Sequence, residues 1–506
     1  MVYPIQINIM DSYSKMYNCD KVDKYKIIEE IKKNDIEICL GFLARLSFLN
    51  YVEANDLYSL FSDFNNRKNH YTLITKQGLA VTYKWFLAYG NQYKYDLELN
   101  TNLQVNLLLK KVILIQLMIA DYIVDIENSP SHFIFRNLQF NKSINPINAA
   151  HRAKAMFSSP TSLELKIDNE ILDFHSQFQE TYGYTIDRYF ETMVTLIPCF
   201  NKGYQENTLG LEIKSLESNF YNITKVINTH RCDLNEAKKW AIDTIDNIWD
   251  FELFYKYPLI TVQEFCIIPF SLDMLSNSIF NGLSHLIFDL YENKRAIRGC
   301  IGALFENYIT EIIEVASKTL KSDKYIFIPE FRIGDNDSSD AYLKYEDVLF
   351  AFECKGNRPT IKARMTSNDE DYKDEVKCIK KYLKQPRIFN DYLHENHCNA
   401  YLEKFGNVRE VFYIIVNYEN FTLEKFWRDS FNDASNYLSN TVTLSAEELE
   451  YFAGLIINFE NSFELIINYL KSNMDNTFLN YLNDNRVDLK DCNYYKEKAN
   501  ILYENE

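Results

Sequence analysis

Apolar residues recur at every third or fourth position through roughly the first 290 residues, a spacing that is typical of amphipathic helices. Thr185 and Asn235 stand where their side chains would cap the last two of these runs. The clearest runs cover 24–49, 102–126, 162–183, 185–197 and 235–251. The pattern therefore predicts a large N-terminal region, 1–257, that is mostly helical.

The pattern changes near residue 258. Pro258 and Pro269 bracket two short apolar runs, which predict a β-hairpin. Amphipathic helices are predicted at 271–292 and 298–320. We assign 258–297 to a connecting hairpin and helix.

Three extended runs follow, at 324–333, 340–345 and 348–355, and then a charged helix near 371–395 and a strand at 408–418. This order predicts a unit, 298–418, in which helices cover a mixed sheet. Residues 419–506 return to helical spacing, and Ser445 opens the run 445–470 as part of a capping box. The expected fold class is α+β, with a helical N-terminal region, an α/β core and a helical C-terminal extension.

Composition limits the function classes. The net charge of −17 argues against a protein that coats nucleic acid without specificity, because such binding depends on neutralising phosphates. Ten cysteines contain no Cys-x-x-Cys pair, which argues against a disulfide scaffold. The apolar stretch 112–124 is interrupted by Gln116 and Asp121 and is too short for a membrane span. We expect a cytoplasmic protein with no membrane association.

Charged residues stand at an unexpected place in the run "VLFAFECK" (348–355). Glu353 and Lys355 share one face at its end, although isolated charges are costly to bury. If 340–345 and 348–355 pair as a hairpin, Asp340 lies beside Glu353. Two carboxylates with an ammonium group suit a hard divalent cation and a phosphate substrate. Asp335 and Asp337 are rival candidates for the role of Asp340.

The segment "SSDAYLKYEDVLFAFECKG" resembles the core of the PD-(D/E)xK nucleases, the restriction-endonuclease-like superfamily, although Ser339 stands where a Pro often precedes the Asp. The resemblance covers 298–418. It implies that Asp340, Glu353 and the main-chain carbonyl of Cys354 bind Mg²⁺ or Mn²⁺, and that Lys355 acts on the attacking water. It also implies that Glu306, on the preceding helix, is an additional or second-metal ligand. The helix after the Glu-x-Lys strand often presents a Lys or Gln to the site.

Basic residues are concentrated after this motif. Between Lys355 and Arg387, ten Lys and Arg face five Asp and Glu. Such a local excess of positive charge suits nucleic-acid phosphates, although a solvated helix face would look the same. The predicted nucleic-acid-binding residues are Lys377, Lys380, Lys381 and Lys384 on one helix face, with Arg358, Lys362 and Arg364.

The resulting expectation is a Mg²⁺- or Mn²⁺-dependent DNA endonuclease. The resemblance implies an effector of bacterial defence against phages or plasmids. The helical region would sense a trigger or bind a partner protein, and a homo-oligomer is a further expectation. Two alternatives stay open: an RNA-cleaving nuclease or toxin, and a catalytically silent module that binds nucleic acid or a partner.

Overall fold

The structure is a computed structural model. It describes residues 12–49, 57, 61, 74–93, 102–123, 145–157, 166–167, 170–171, 173–219, 223–263, 265–318, 325–356, 381–394, 404–418, 440–472 and 477–495. Helices dominate the N-terminal part and the C-terminal end, and strands form mixed sheets between them. The predicted α+β class, with its helical N-terminal and C-terminal parts, is confirmed.

Most of the described helices lie before residue 260. They are α1 (Tyr13–Tyr17), α2 (Lys24–Lys32), α3 (Ile36–Ser47), α4 (Lys76–Tyr89), α5 (Asn102–Ile123), α6 (Pro146–Phe157), α7 (Phe174–Tyr182), α8 (Ile186–Gln205), α9 (Ile213–Asn219), α10 (Ile223–Thr229), α11 (Leu234–Asp243) and α12 (Glu252–Lys256). The later ones are α13 (Leu272–Asn277), a π-helical turn (Ser278–Gly282), α14 (Leu283–Asp289), α15 (Lys294–Ser317), a 3₁₀ turn (Lys381–Leu383), α16 (Lys384–His394), α17 (Ala446–Asn458), α18 (Ser462–Lys471) and α19 (Phe478–Asp484).

Side-chain caps decide where several of these helices start. Thr185 caps α8 by accepting a hydrogen bond from the Arg188 N–H, as predicted. The predicted cap at Asn235 is wrong, because Asp233 caps α11. The run 24–49 is divided into α2 and α3, since Asp35 caps a new helix within it.

The short strands lie mostly outside the core unit. They are β1 (Lys166–Ile167), β2 (Glu170–Ile171), β3 (Leu211–Glu212), β4 (Arg231–Asp233), β5 (Leu259–Val262), β6 (Cys266–Pro269), β8 (Arg332–Ile333) and β9 (Asn336–Asp337). β1 and β2 pair antiparallel, which contradicts the predicted continuous helix at 162–183. The predicted hairpin, β5 and β6, is present and joins β3 and β4 in a four-stranded sheet.

A five-stranded sheet forms the centre of the C-terminal part. Its strands are β7 (Tyr325–Pro329), β10 (Ala341–Tyr345), β11 (Val348–Lys355), β12 (Glu410–Asn417) and β13 (Thr441–Ser445). The spatial order is β13-β12-β11-β10-β7; β7, β10 and β11 are antiparallel neighbours, whereas β11, β12 and β13 run parallel. Because β13 lies beyond residue 418, the sheet extends past the predicted end of the core unit.

The sheet is covered on both faces, which explains the nearly uninterrupted apolar run in β11. Phe350 and Phe352 belong to the large core that also contains α15, α17 and the N-terminal helices. On the other face, Tyr342 and Ala351 pack with Phe389 of α16 in a smaller core. The N-terminal helices and the sheet therefore share one continuous apolar interior.

A buried polar cluster lies where α6, α15 and α17 meet. The Arg152 guanidinium donates to both carboxylate oxygens of Glu450, at 2.6 and 2.9 Å. The Tyr308 hydroxyl donates to Glu450 Oε1 at 2.7 Å, and Glu447 accepts from the Asn145 N–H at 2.9 Å. Since the Arg152 and Glu450 side chains are only 5% and 0% exposed, this ion pair joins α6 of the N-terminal region to α17 in the interior.

Two expectations about composition can be compared with the described residues. None of the eight cysteines among them forms a disulfide. No described helix combines the length and the apolar composition that crossing a bilayer requires.

Candidate active site

The hairpin of β10 and β11 sets the geometry of the site. Its register pairs Ala341 with Phe352, which places Asp340, one residue earlier, beside Glu353 on the same face of the sheet. Burial raises the pKa of Glu353, and the nearby charge of Asp340 raises it further. The two carboxylates that the sequence predicted to lie side by side are therefore brought together at the open end of the hairpin.

Glu353 is completely buried at the end of β11. The Lys355 ammonium donates to Glu353 Oε1, and it also donates to Gln385 Oε1 of α16 at 3.2 Å. Glu353 Oε2 is buried and has no hydrogen-bond partner within the described part of the chain. One carboxylate oxygen is thus held by a lysine while the other remains available to a ligand.

Asp340 is 7% exposed and is oriented by the main chain of the neighbouring strand. The Cys354 N–H donates to Asp340 Oδ2 at 2.5 Å. The described contact of Cys354 in the site is therefore through its N–H, whereas the resemblance implied a role for its carbonyl oxygen. The Cys354 side chain faces away, into the large core.

Glu306 reaches the site from α15. A Cβ at Gly356 would lie only 3.2 Å from Gly302 Cα, so the chain after β11 passes directly over α15 one turn before Glu306. Glu306 is half-buried. Burial and the charge of Asp340 raise the pKa of Glu306, and the charge of Lys355 lowers it. The helix thus supplies a third carboxylate to the same region.

The three partly or fully buried carboxylates of the site, which lie close together, have raised pKa values. Burial, with the charge of Asp340 added, raises the pKa of Glu353 to about 8 even though Lys355 opposes the shift. Burial and the charge of Asp340 raise the pKa of Glu306 to about 7. Burial also raises the pKa of Asp340, against the hydrogen bond from Cys354. In the absence of a cation, these carboxylates destabilise one another's charged forms.

Two further groups near the site were missed or underrated in the sequence. Glu330 directly follows β7, and the register of Ala341 with Pro329 places it next to Asp340. Burial, with the charge of Asp340 added, raises the pKa of Glu330. Asp337 lies in β9 and forms an ion pair with Arg332 at 2.9 Å, which holds this rival candidate on the adjacent hairpin. Asp335 lies in the turn of that hairpin.

The donor set can be compared with the needs of a divalent cation. Within the described ranges, no group of three or more His, Cys, Asp or Glu side chains is arranged to hold a metal ion. Mg²⁺, however, is commonly held by one or two carboxylates, with waters and substrate phosphate completing its shell. Asp340 and Glu353, with its unpartnered Oε2, fit that smaller requirement.

The predicted phosphate-binding residues lie mostly outside the described residues. Lys381 and Lys384 are both exposed. Lys384 is the first residue of α16, whereas Lys381 belongs to the 3₁₀ turn before it. Phe389 anchors α16 on the sheet. The candidates outside the described part are Arg358, Lys362, Arg364, Lys377 and Lys380.

Comparisons with known proteins give no assignment: no family model matches the chain, and no match was found among curated proteins or solved structures.

The raised pKa values predict how stability depends on pH and metal. The pKa of Glu353 is about 8 in the folded protein, against an ordinary Glu pKa of 4.5. Between pH 4.5 and about pH 8, folded Glu353 therefore binds more protons than it does in the unfolded chain. The free energy of unfolding of the metal-free protein should therefore fall as pH rises through this window. A divalent cation binds the deprotonated carboxylates, so Mg²⁺ or Mn²⁺ should raise the Tm by a few °C at about pH 8.5 and by less at about pH 5.5.

Thermal unfolding at several pH values, with and without metal, tests this directly. Glu353→Gln removes the titrating group, so this variant should show a flatter pH dependence and a smaller metal-induced rise in Tm. A metal effect equally large in Glu353→Gln would contradict the assignment of the carboxylate.

Proposed function

We propose that this protein is a metal-dependent nuclease that hydrolyses phosphodiester bonds of DNA, built on a core of the PD-(D/E)xK type. The single observation that supports it most is the convergence of Asp340, Glu353 and Lys355 at one end of a buried hairpin. A structural role alone gives no reason to bury a carboxylate with one unpartnered oxygen, because an unpaired buried polar atom costs stability.

The residues have distinct proposed roles. Asp340 and Glu353 would hold the cation. Glu306 would add negative charge near it rather than a third ligand, since the described carboxylates do not form a set of three arranged around an ion. A bound Mg²⁺ or Mn²⁺ supplies charge stabilisation on the phosphate oxygens and lowers the pKa of water. Lys355 would orient the water that attacks phosphorus; Gln385 would fix the lysine.

The reaction balances as a hydrolysis. A water oxygen forms a new bond to phosphorus as the bond from phosphorus to one ester oxygen breaks. The departing oxygen takes up a proton, so the products are a phosphate monoester and a free hydroxyl group. The proposed setting, bacterial defence against phages or plasmids, rests on the resemblance alone.

The test uses the purified full chain with supercoiled DNA, linear DNA and RNA, in the presence of Mg²⁺ or Mn²⁺ and after addition of EDTA. Asp340→Asn should abolish cleavage. Asp347→Asn is a matched control, because Asp347 lies in the turn at the other end of the same hairpin and pairs with Arg409 at 3.1 Å.

The outcomes separate the alternatives. Metal-dependent DNA cleavage that is lost in Asp340→Asn and kept in Asp347→Asn supports the proposal. Cleavage of RNA but not DNA would identify RNA as the substrate and would leave the assignment of the catalytic residues unchanged. No cleavage of any substrate by the wild-type protein contradicts the proposal and favours a silent binding module.

A further inference from the structure

Asn417 is an unusual residue for its position. It ends β12 after the apolar residues Ile414, Ile415 and Val416, and it is completely buried. Neither polar atom of its side chain, Oδ1 or Nδ2, has a hydrogen-bond partner among the described residues. Buried amides are normally paired, so an amide with neither atom satisfied needs a specific explanation.

The position of Asn417 relates it to the candidate site. The parallel register pairs Lys355 with Asn417 and Asn417 with Ser445, so β11, β12 and β13 end in one row. Paired residues of neighbouring strands project from the same face, and Asn417 therefore lies on the face that carries Lys355 and Glu353. Ligands of parallel sheets bind beyond the carboxyl ends of the strands, where this row lies.

The two residues that flank Asn417 in this row already have hydrogen-bond partners. Ser445 is occupied as the cap of α17, since its hydroxyl exchanges hydrogen bonds with Glu448. Lys355 is held by Glu353 and Gln385. Glu353 Oε2 and the Asn417 amide, which lie on one face of adjacent strands, thus have no hydrogen-bond partner in the ranges that the structure describes.

We propose that the Asn417 amide hydrogen-bonds the attacking water on the side of Lys355 away from Asp340. This inference rests on the proposed nuclease function and adds a water-positioning residue to it. The amide can accept a hydrogen bond from the water through Oδ1 and donate one through Nδ2, so it restricts the orientation of the water before attack.

The test compares kcat, KM and Tm of the wild type and of Asn417→Leu, on the nucleic acid that the wild type cleaves. Leucine has a similar size but no hydrogen-bonding group. We expect kcat to fall about 10²-fold, with KM within about threefold and Tm unchanged or higher, because an unpaired buried amide is replaced by an apolar group. Asn417→Ser, which keeps a donor and acceptor, should recover part of kcat.

Ile415→Val is the control for stability. Ile415 lies two residues earlier on the same face and is completely buried, so the variant should lower Tm and leave kcat unchanged. An unchanged kcat in Asn417→Leu, or a loss of Tm like that of Ile415→Val, would overturn the role of Asn417 and leave the proposed function intact. A wild type that cleaves nothing overturns both.

Discussion

Lys355→Ala is expected to lower the rate of phosphodiester cleavage by about 10²–10³-fold while the protein stays folded. The Lys355 ammonium is the one described cationic group that donates to Glu353, and Gln385 holds it from α16. Removing it takes away the positive charge next to the proposed site of attack and the group proposed to orient the water. Single-turnover rates with saturating Mg²⁺ measure this loss, and circular dichroism checks the fold.

Lys344→Ala is the matched control for this result. Lys344 lies on the same face of β10, but its register partner is Leu349, at the other end of the hairpin from Glu353. Its removal should leave the rate within about threefold of the wild type. If Lys355→Ala also stayed within that range, the assignment of the site would be wrong.

Arg152→Ala is expected to lower the free energy of unfolding by about 3–5 kcal/mol, the cost of breaking a buried ion pair by removing one partner. The buried Glu450 carboxylate would then lose both hydrogen bonds from Arg152. Of its described contacts, the hydrogen bond from the Tyr308 hydroxyl would remain. Chemical denaturation monitored by tryptophan fluorescence measures the loss. Replacing both partners, as Arg152→Met with Glu450→Gln, should recover part of it.

Arg409→Ala provides the comparison with an exposed pair. Arg409 Nε lies 3.1 Å from Asp347 Oδ2, with side-chain exposures of 74% and 35%. An ion pair in that setting contributes about 0–1 kcal/mol, because water and salt screen it. If Arg152→Ala and Arg409→Ala lowered the free energy of unfolding equally, the buried ion pair would contribute no more to stability than the exposed one.

The core of the site was predictable because its signals are local. An apolar strand that ends in Glu353 and Lys355, a short turn and a preceding Asp340 specify both the hairpin and its register. The cap at Thr185 and the capping box of Ser445 with Glu448 were equally local. Gln385 could be anticipated only as a residue type on the following helix.

Other features depend on contacts between distant residues. Arg152 and Glu450 are 298 positions apart, and no periodicity links them. Asn417 carried a weak signal, a single amide at the end of an apolar strand, but its significance appears only with the register to Lys355. The strand β13 was missed because its short, Thr-rich run stands directly before a strong helix start.

The error at 162–183 has a different cause. The stretch Leu163 to Ile167 alternates apolar and polar residues, which fits a strand as well as a helix. The helical interpretation extended the periodicity of 174–182 backwards across it. The observed β1–β2 pair shows that the period of two was the correct one there, and Asp173 caps the helix that follows.

The position of β13 has a consequence for any attempt to produce the predicted core unit, 298–418, alone. A fragment ending at residue 418 would lack this strand and leave β12, with its buried Phe412–Val416 segment, as an unprotected edge. Uncovered apolar edges pair readily with other chains, so such a fragment should aggregate. A soluble truncation would have to retain the residues through α17.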